Sequence, residues 1–266
     1  MAQKKFQDLN LANAFLFAVA MNDPEFCKIV LEILLGRRVD SVTVSIEHSM
    51  LFSSDSRSIR LDVYAKDGEG NNYNVEMQGE NKGNLSKRSR YHQAEMDVLG
   101  LCPGEDFETL DPNYVIFICC FDPFGQNLYR YTFTNRCAES GIELGDETMK
   151  VFLSTKGRNE QEVPTGLVNF LHYVENSTDS CVEELADDVV RQLHEHINRI
   201  RKSREWERKY MKFEELLRDR YEEGEKRVLT LVAKMTEAGE VDKLPMLTDQ
   251  NFLQEMYRKY GLEDEV

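Results

Sequence analysis

Two carboxylates, Asp62 and Glu76, sit in stretches whose residue types and spacing could do chemistry together. Ile59, Leu61, Val63 and Ala65 alternate with Arg60, Asp62, Tyr64 and Lys66. Tyr73, Val75 and Met77 alternate with Asn74, Glu76 and Gln78. Period-two patterning on both arms gives each strand one apolar and one polar face. The run Asp67-Gly68-Glu69-Gly70-Asn71-Asn72 between them is turn chemistry. With Glu69 at its centre, the hairpin register pairs residues whose numbers sum to 138, which sets Asp62 opposite Glu76. Like charges at that position are destabilising without compensation. A bound divalent cation would compensate them, and Gln78 falls on the same face. Mg²⁺ takes one or two protein carboxylates and leaves room for water and phosphate oxygens. An ordinary hairpin with a solvated polar face would show the same alternation, so the spacing alone leaves both readings open.

The elements around this hairpin follow from local signals. Residues 9–21 have an apolar face at helical spacing and predict a first helix. Asp23 as N-cap, Pro24 at the first helical position and Gly36 as terminator predict a second. Residues 41–47 alternate as a strand. Ser86 can cap a helix over residues 87–101, ended by Pro103-Gly104. The apolar, β-branched and aromatic run of residues 114–121 predicts a central strand covered on both faces. Residues 128–134 and 150–154 predict two more strands. Beyond Val163 the pattern is helical, with a long helix over residues 181–200 and a break before Trp206. The stripe Trp206, Tyr210, Phe213, Leu217 and Tyr221 then fits packing on the domain or a coiled-coil seam. The division expected is a core of residues 1–175 and a helical region of residues 176–266 that packs on the core or mediates self-association.

A chain of 266 residues with 41% hydrophobic content can bury a sizeable core. It has no apolar run near the roughly 20 residues of a membrane span, and its first residues lack the pattern of a signal peptide. The six scattered cysteines form no CxxC pair, which favours reduced thiols in a cytoplasmic protein over a disulfide framework or a zinc site. His194 and His196 are two apart in a helical stretch and so face apart, and His48, His92 and His172 have no spaced partner. A net charge of −15 argues against bulk coating of nucleic acid. Local basic clusters remain at Lys82, Lys87, Arg88, Arg90 and His92, and from Arg199 to Lys212.

The segments Arg60-Leu61-Asp62-Val63-Tyr64-Ala65, Asn74-Val75-Glu76-Met77-Gln78, Lys87-Arg88-Ser89-Arg90-Tyr91-His92-Gln93, Tyr114-Val115-Ile116-Phe117-Ile118 through Asp122-Pro123-Phe124-Gly125, and Ser154-Thr155-Lys156-Gly157 occur in one order. In that order they resemble the PD-(D/E)XK nuclease superfamily, in its Rpn-type branch of recombination-promoting nucleases and transposases. The resemblance implies an α/β (α+β) fold with a restriction-endonuclease-like mixed central sheet flanked by helices and a C-terminal helical extension. It implies a metal-dependent nuclease, a DNA endonuclease linked to recombination or mobile elements, with double-stranded DNA as partner. The absence of an apolar span speaks against a membrane partner, and the helical patterning after Ile200 suits a homodimer through the C-terminal helices as well as packing on the core. Asp62 and Glu76 would be the carboxylates for Mg²⁺, with Mn²⁺ as the other candidate ion, and the backbone carbonyl of Met77 a further ligand. Gln78 stands where many relatives have lysine; an amide takes no proton but can orient a water. Arg88, Arg90, Tyr91 and Gln93 would hold phosphates. Ala14 occupies a position where this branch often has an acidic residue, and Glu32 is best read as a surface glutamate. The competing reading is a catalytically weak or inactive nuclease-fold protein that acts as an interaction module.

Overall fold

A computed structural model of the chain describes residues 4–45 and 63–263. Asp62 and residues 59–61 of the expected hairpin lie outside these described residues. The chain divides into two compact units, Met1–Ser203 and Arg204–Val266.

The first unit is built on a six-stranded mixed sheet of β1 (Val42–Ser45), β2 (Val63–Asp67), β3 (Asn72–Gln78), β4 (Asn113–Cys119), β5 (Arg130–Phe133) and β6 (Thr148–Ser154). Their order across the sheet is β1-β2-β3-β4-β6-β5. β3, β4 and β6 run parallel, and the remaining pairs are antiparallel. The β2–β3 pairs Val63 with Val75, Tyr64 with Asn74, Ala65 with Tyr73 and Lys66 with Asn72. All four obey the sum of 138. The turn is pinned by Asp67, whose carboxylate accepts from the backbone of Glu69 at 3.0 Å and of Asn71 at 2.9 Å, and by Gly70 at φ +93°.

One sheet face carries Val75, Met77, Ile116, Ile118, Val151 and Leu153, all buried. On this side lie α1 (Ala14–Met21), which contacts β3, and α2 (Pro24–Leu35), which contacts β1. The cap of α2 is the expected one: the Asp23 carboxylate accepts from Phe26 N–H at 2.9 Å, Pro24 opens the helix and Gly36 closes it at φ +71°. The first helix is shorter than residues 9–21, because the Asn13 side chain accepts from Leu16 N–H and starts the helix at Ala14. The opposite face carries Val115, Phe117, Cys119 and Phe152, packed under Leu85 and Met96 of α3 (Leu85–Gly100). That helix begins two residues before the expected start. Asn84 stands at its N-cap and Ser86 lies in its first turn instead of capping it.

After α4 (Thr165–Glu175), the expected single helix of residues 181–200 is two helices, α5 (Asp179–Leu185) and α6 (Asp188–Arg201). Ala186 adopts a left-handed φ of +49°, and the Asp187 carboxylate accepts from Val189 and Val190 N–H, so one helix closes and the next opens within two residues. The expected boundary between residues 175 and 176 falls inside the first unit, where α6 packs on α1, α2 and α4. The break expected before Trp206 is present between Arg201 and Arg204.

The second unit consists of α7 (Arg204–Glu237), a 3-10 segment (Val241–Thr248) and α8 (Gln250–Lys259). Leu231 and Met235 of α7 and Met256 and Tyr257 of α8 form its buried core. Glu240 fastens the turn, accepting from Lys243 at 2.6 Å, Lys259 at 2.7 Å and the Tyr260 hydroxyl at 2.8 Å. Among the described residues no helix is long and apolar enough to cross a membrane.

Candidate active site

β3 is buried on both faces, yet every second residue on one of them is polar: Asn74, Glu76 and Gln78. These three point toward α3, and the strand's neighbours on that side are Tyr64, Val115 and Phe117. Glu76 is 2% exposed, so its charge must be met from within. Three side chains meet it. Arg88 pairs with Oε2 through Nη2, Gln78 donates to the same oxygen through Nε2 at 2.9 Å, and His92 Nε2 stands 2.7 Å from Oε1. Arg88 Nη1 also donates to Gln78 Oε1 at 3.0 Å, which closes a ring of contacts among the three residues. Arg88 and His92 are four apart on α3, hence on one stripe of the helix with Leu85, Ser89 and Met96.

A second layer extends from His92. Its Nδ1 lies 3.5 Å from Glu95 Oε2, and the Tyr64 hydroxyl donates to that carboxylate at 3.1 Å. The polar chain therefore runs from β3 through α3 and back to β2. The guanidinium of Arg88 lies 5.6 Å from the ring centroid of Phe117, which fixes it over the sheet.

Of the residues expected to hold phosphate, Arg88 is brought to Glu76. Arg90 and Tyr91 are carried by the helical turn to the exposed side of α3, and Gln93 is half-buried. Glu32 serves elsewhere, accepting from Val39 N–H at 3.0 Å. His92 meets a carboxylate on another element: the contact joins a helix residue to a strand residue, which helical spacing within α3 does not reveal.

Asn74 is wholly buried, and neither atom of its amide has a hydrogen-bond partner among the described residues. A buried amide left so costs about 1–3 kcal/mol. The signal in the sequence was its place in the alternation with Glu76 and Gln78. Among the described residues, no group of three His, Cys, Asp or Glu side chains is arranged to hold a metal ion. The side-chain groups nearest Glu76 are the nitrogens of Arg88, Gln78 and His92. The Gln78 carbonyl accepts from Cys120 N–H of the β4 side at 2.9 Å, so the Met77 carbonyl, one residue earlier in the pleat, points the other way, toward β2. The Glu76 carboxylate is a hard oxygen ligand of the kind Mg²⁺ or Mn²⁺ takes, and to hold an ion it would exchange its Arg88 contact for the metal.

Comparison with curated proteins and with solved structures gives no match. A family model described as PD-(D/E)XK nuclease family transposase matches residues 16–227. That match takes in the whole sheet, α3 and the Glu76 cluster, and by it the chain belongs to the PD-(D/E)XK nuclease family transposases.

Proposed function

We propose that the chain hydrolyses phosphodiester bonds in a metal-dependent way, as a cytoplasmic DNA endonuclease linked to recombination or mobile elements. The observation that carries this reading is the buried Glu76 carboxylate, ringed by Gln78, Arg88 and His92 on the polar face of β3. Asp62 and Glu76, with the Met77 carbonyl, would hold Mg²⁺ or Mn²⁺. The bound ion would lower the pKa of a water and offset negative charge on the phosphate. Support for Asp62 comes from the register, since four observed pairs follow the same sum that matches residue 62 with residue 76. Gln78 orients the attacking water through an amide that both donates and accepts. Arg88 has two donors already aimed at the site and is placed to transfer one to a phosphate oxygen; Arg90, Tyr91 and Gln93 extend the phosphate-binding surface along α3. Self-association through the C-terminal helices is part of the same reading.

A second reading is favoured by one contact. Arg88 already neutralises Glu76, so the scaffold is self-sufficient without an ion and would suit a binding module with a weak or silent site. Plasmid cleavage with Mg²⁺ by the chain and by Glu76→Ala, preceded by calorimetric titration of Mg²⁺, separates the two. The nuclease reading expects heat of binding and cleavage that Glu76→Ala abolishes. No heat together with no cleavage by either chain supports the second, and equal cleavage by both sinks the assignment of Glu76.

A further inference from the structure

A cavity of about 320 Å³ opens on the same sheet face as Glu76, between the first turn of α3 and strands β5 and β6. Its apolar wall is three rings, Phe124, Phe133 and Phe152, with centroids 5.1 to 5.6 Å apart. Ser86, Asn135 and Lys150 supply polar groups around it. The Asn135 amide nitrogen is held by Asp146 at 2.6 Å, which fixes that side chain. Phe133 is 45% exposed, an unusual state for a phenyl ring already touching two others.

The cavity is in register with the site. Glu76 pairs with Phe117, and Phe117 pairs with Phe152 in the parallel ladder, so all three side chains share one face. Two inter-strand spacings put Phe152 roughly 10 Å from Glu76 across the sheet. Phe117 bridges the gap: it stacks on Phe152 at 5.3 Å with a 7° interplanar angle and underlies Arg88. Lys150 stands opposite Phe133 on this same face. A group held at Glu76 would thus be followed, within about one nucleotide's reach, by aromatic faces and then by an ammonium.

We propose that this cavity takes the base of an unpaired nucleotide next to the scissile phosphate, so that the substrate is single-stranded or locally opened nucleic acid. The proposal rests on the reading of Glu76 as part of a phosphodiester site. Phenyl faces stack with any base, independent of sequence. The volume is at the low end of small-ligand pockets, right for one base and its sugar and far too small for a duplex. Lys150 answers the negative backbone that accompanies the base, in a chain whose overall charge would otherwise repel it.

The test is fluorescence anisotropy with the full chain in EDTA, where no cleavage occurs, using labelled oligothymidylate, labelled oligouridylate and a DNA duplex of equal length. Phe133→Ala is expected to weaken single-strand binding about tenfold and to leave duplex binding unchanged, since stacking on one ring is lost. Phe133→Leu keeps the apolar packing without the ring and is expected to lose binding similarly, which separates stacking from misfolding. Lys150→Ala weakens every arm and lowers the salt dependence. Loss with either sugar supports the cavity. Equal losses on single strand and duplex in Phe133→Ala, no loss at all in that variant, or a wild-type chain that binds no single strand overturns it. Failure of the nuclease reading shows separately, as unchanged plasmid cleavage by Glu76→Ala.

Discussion

His92 Nε2 stands 2.7 Å from Glu76 Oε1, with both side chains more than nine-tenths buried. The imidazole and the Arg88 guanidinium approach different oxygens of one carboxylate, so neither can replace the other. Removing the ring leaves one buried carboxylate oxygen without its close neighbour. His92→Ala, which empties the space between α3 and β3, is therefore expected to lower stability by about 1–3 kcal/mol in urea denaturation, and His92→Gln, which keeps most of the side-chain volume, to lose less. An unchanged midpoint in His92→Ala would show that the contact contributes nothing.

Asp67 governs the pH response of the hairpin turn. Burial pushes its carboxyl up, but hydrogen bonds from the Tyr73 hydroxyl, the Asn71 amide and the backbone of Asn71 and Glu69 outweigh burial and hold it below its ordinary value of 3.8. A carboxylate with a depressed folded pKa adds stability that is fully present above the unfolded value and is lost as pH falls through the folded one. Thermal melts should therefore lose stability steadily below about pH 3.8, and Asp67→Asn should flatten that part of the curve.

Gly157 has no room for a side chain. A Cβ there would lie 2.3 Å from Tyr129 Cγ and 2.6 Å from the Tyr129 backbone nitrogen, and the latter cannot move without disturbing the approach to β5. Gly157→Ala is expected to cost about 1–3 kcal/mol or more, read from the same urea titration. A wild-type midpoint would mean that the segment yields freely.

Thiol reactivity should sort the cysteines. Burial pushes the Cys27 thiol up to about 12, with Asp23 adding to it. Burial does the same for Cys119, helped by Cys120. Cys137 is exposed, and its hydrogen bond with Ser140 draws its thiol down. Brief iodoacetamide treatment at neutral pH, followed by peptide mass spectrometry, should label Cys137 first and leave Cys27 and Cys119 unmodified.

In the second unit, Met235 is fully buried against residues of α8 and the segment before it. Met235→Ala should cost about 2–5 kcal/mol locally. The readout is hydrogen exchange, which should accelerate in residues 241–259; unchanged protection there would show that the small core does not hold these helices.

Much of the frame was legible in the sequence because its signals are local. The β2–β3 register followed from a turn rich in Gly, Asn and Asp and from strict alternation on either side. The second helix followed from Asp23, Pro24 and Gly36. The break at Ala186 was missed because an alanine in the left-handed region has no compositional mark, although Asp187 as an N-cap was there to be read. In the site, Glu76 and Gln78 on one face came from period two alone. The Arg88 and His92 contacts did not: they depend on how α3 lies across the sheet, which no spacing within either element encodes. The outward turn of Arg90 and Tyr91 has the same origin.

The hairpin turn at Asp67 carries an evolutionary consequence. Because side chains in a strand alternate, a shift of one residue in pairing exchanges the two faces of β2 relative to β3. Tyr64, and with it the carboxylate proposed at Asp62, would then turn from Glu76 toward the apolar side. Between Asp67 and Asn72 the number of residues is fixed, and Gly70 with its left-handed φ and Asn71 with its bonds to Asp67 are fixed with it. In descendants of this chain, insertions and deletions should be tolerated in the longer connections of the sheet and purged from this one.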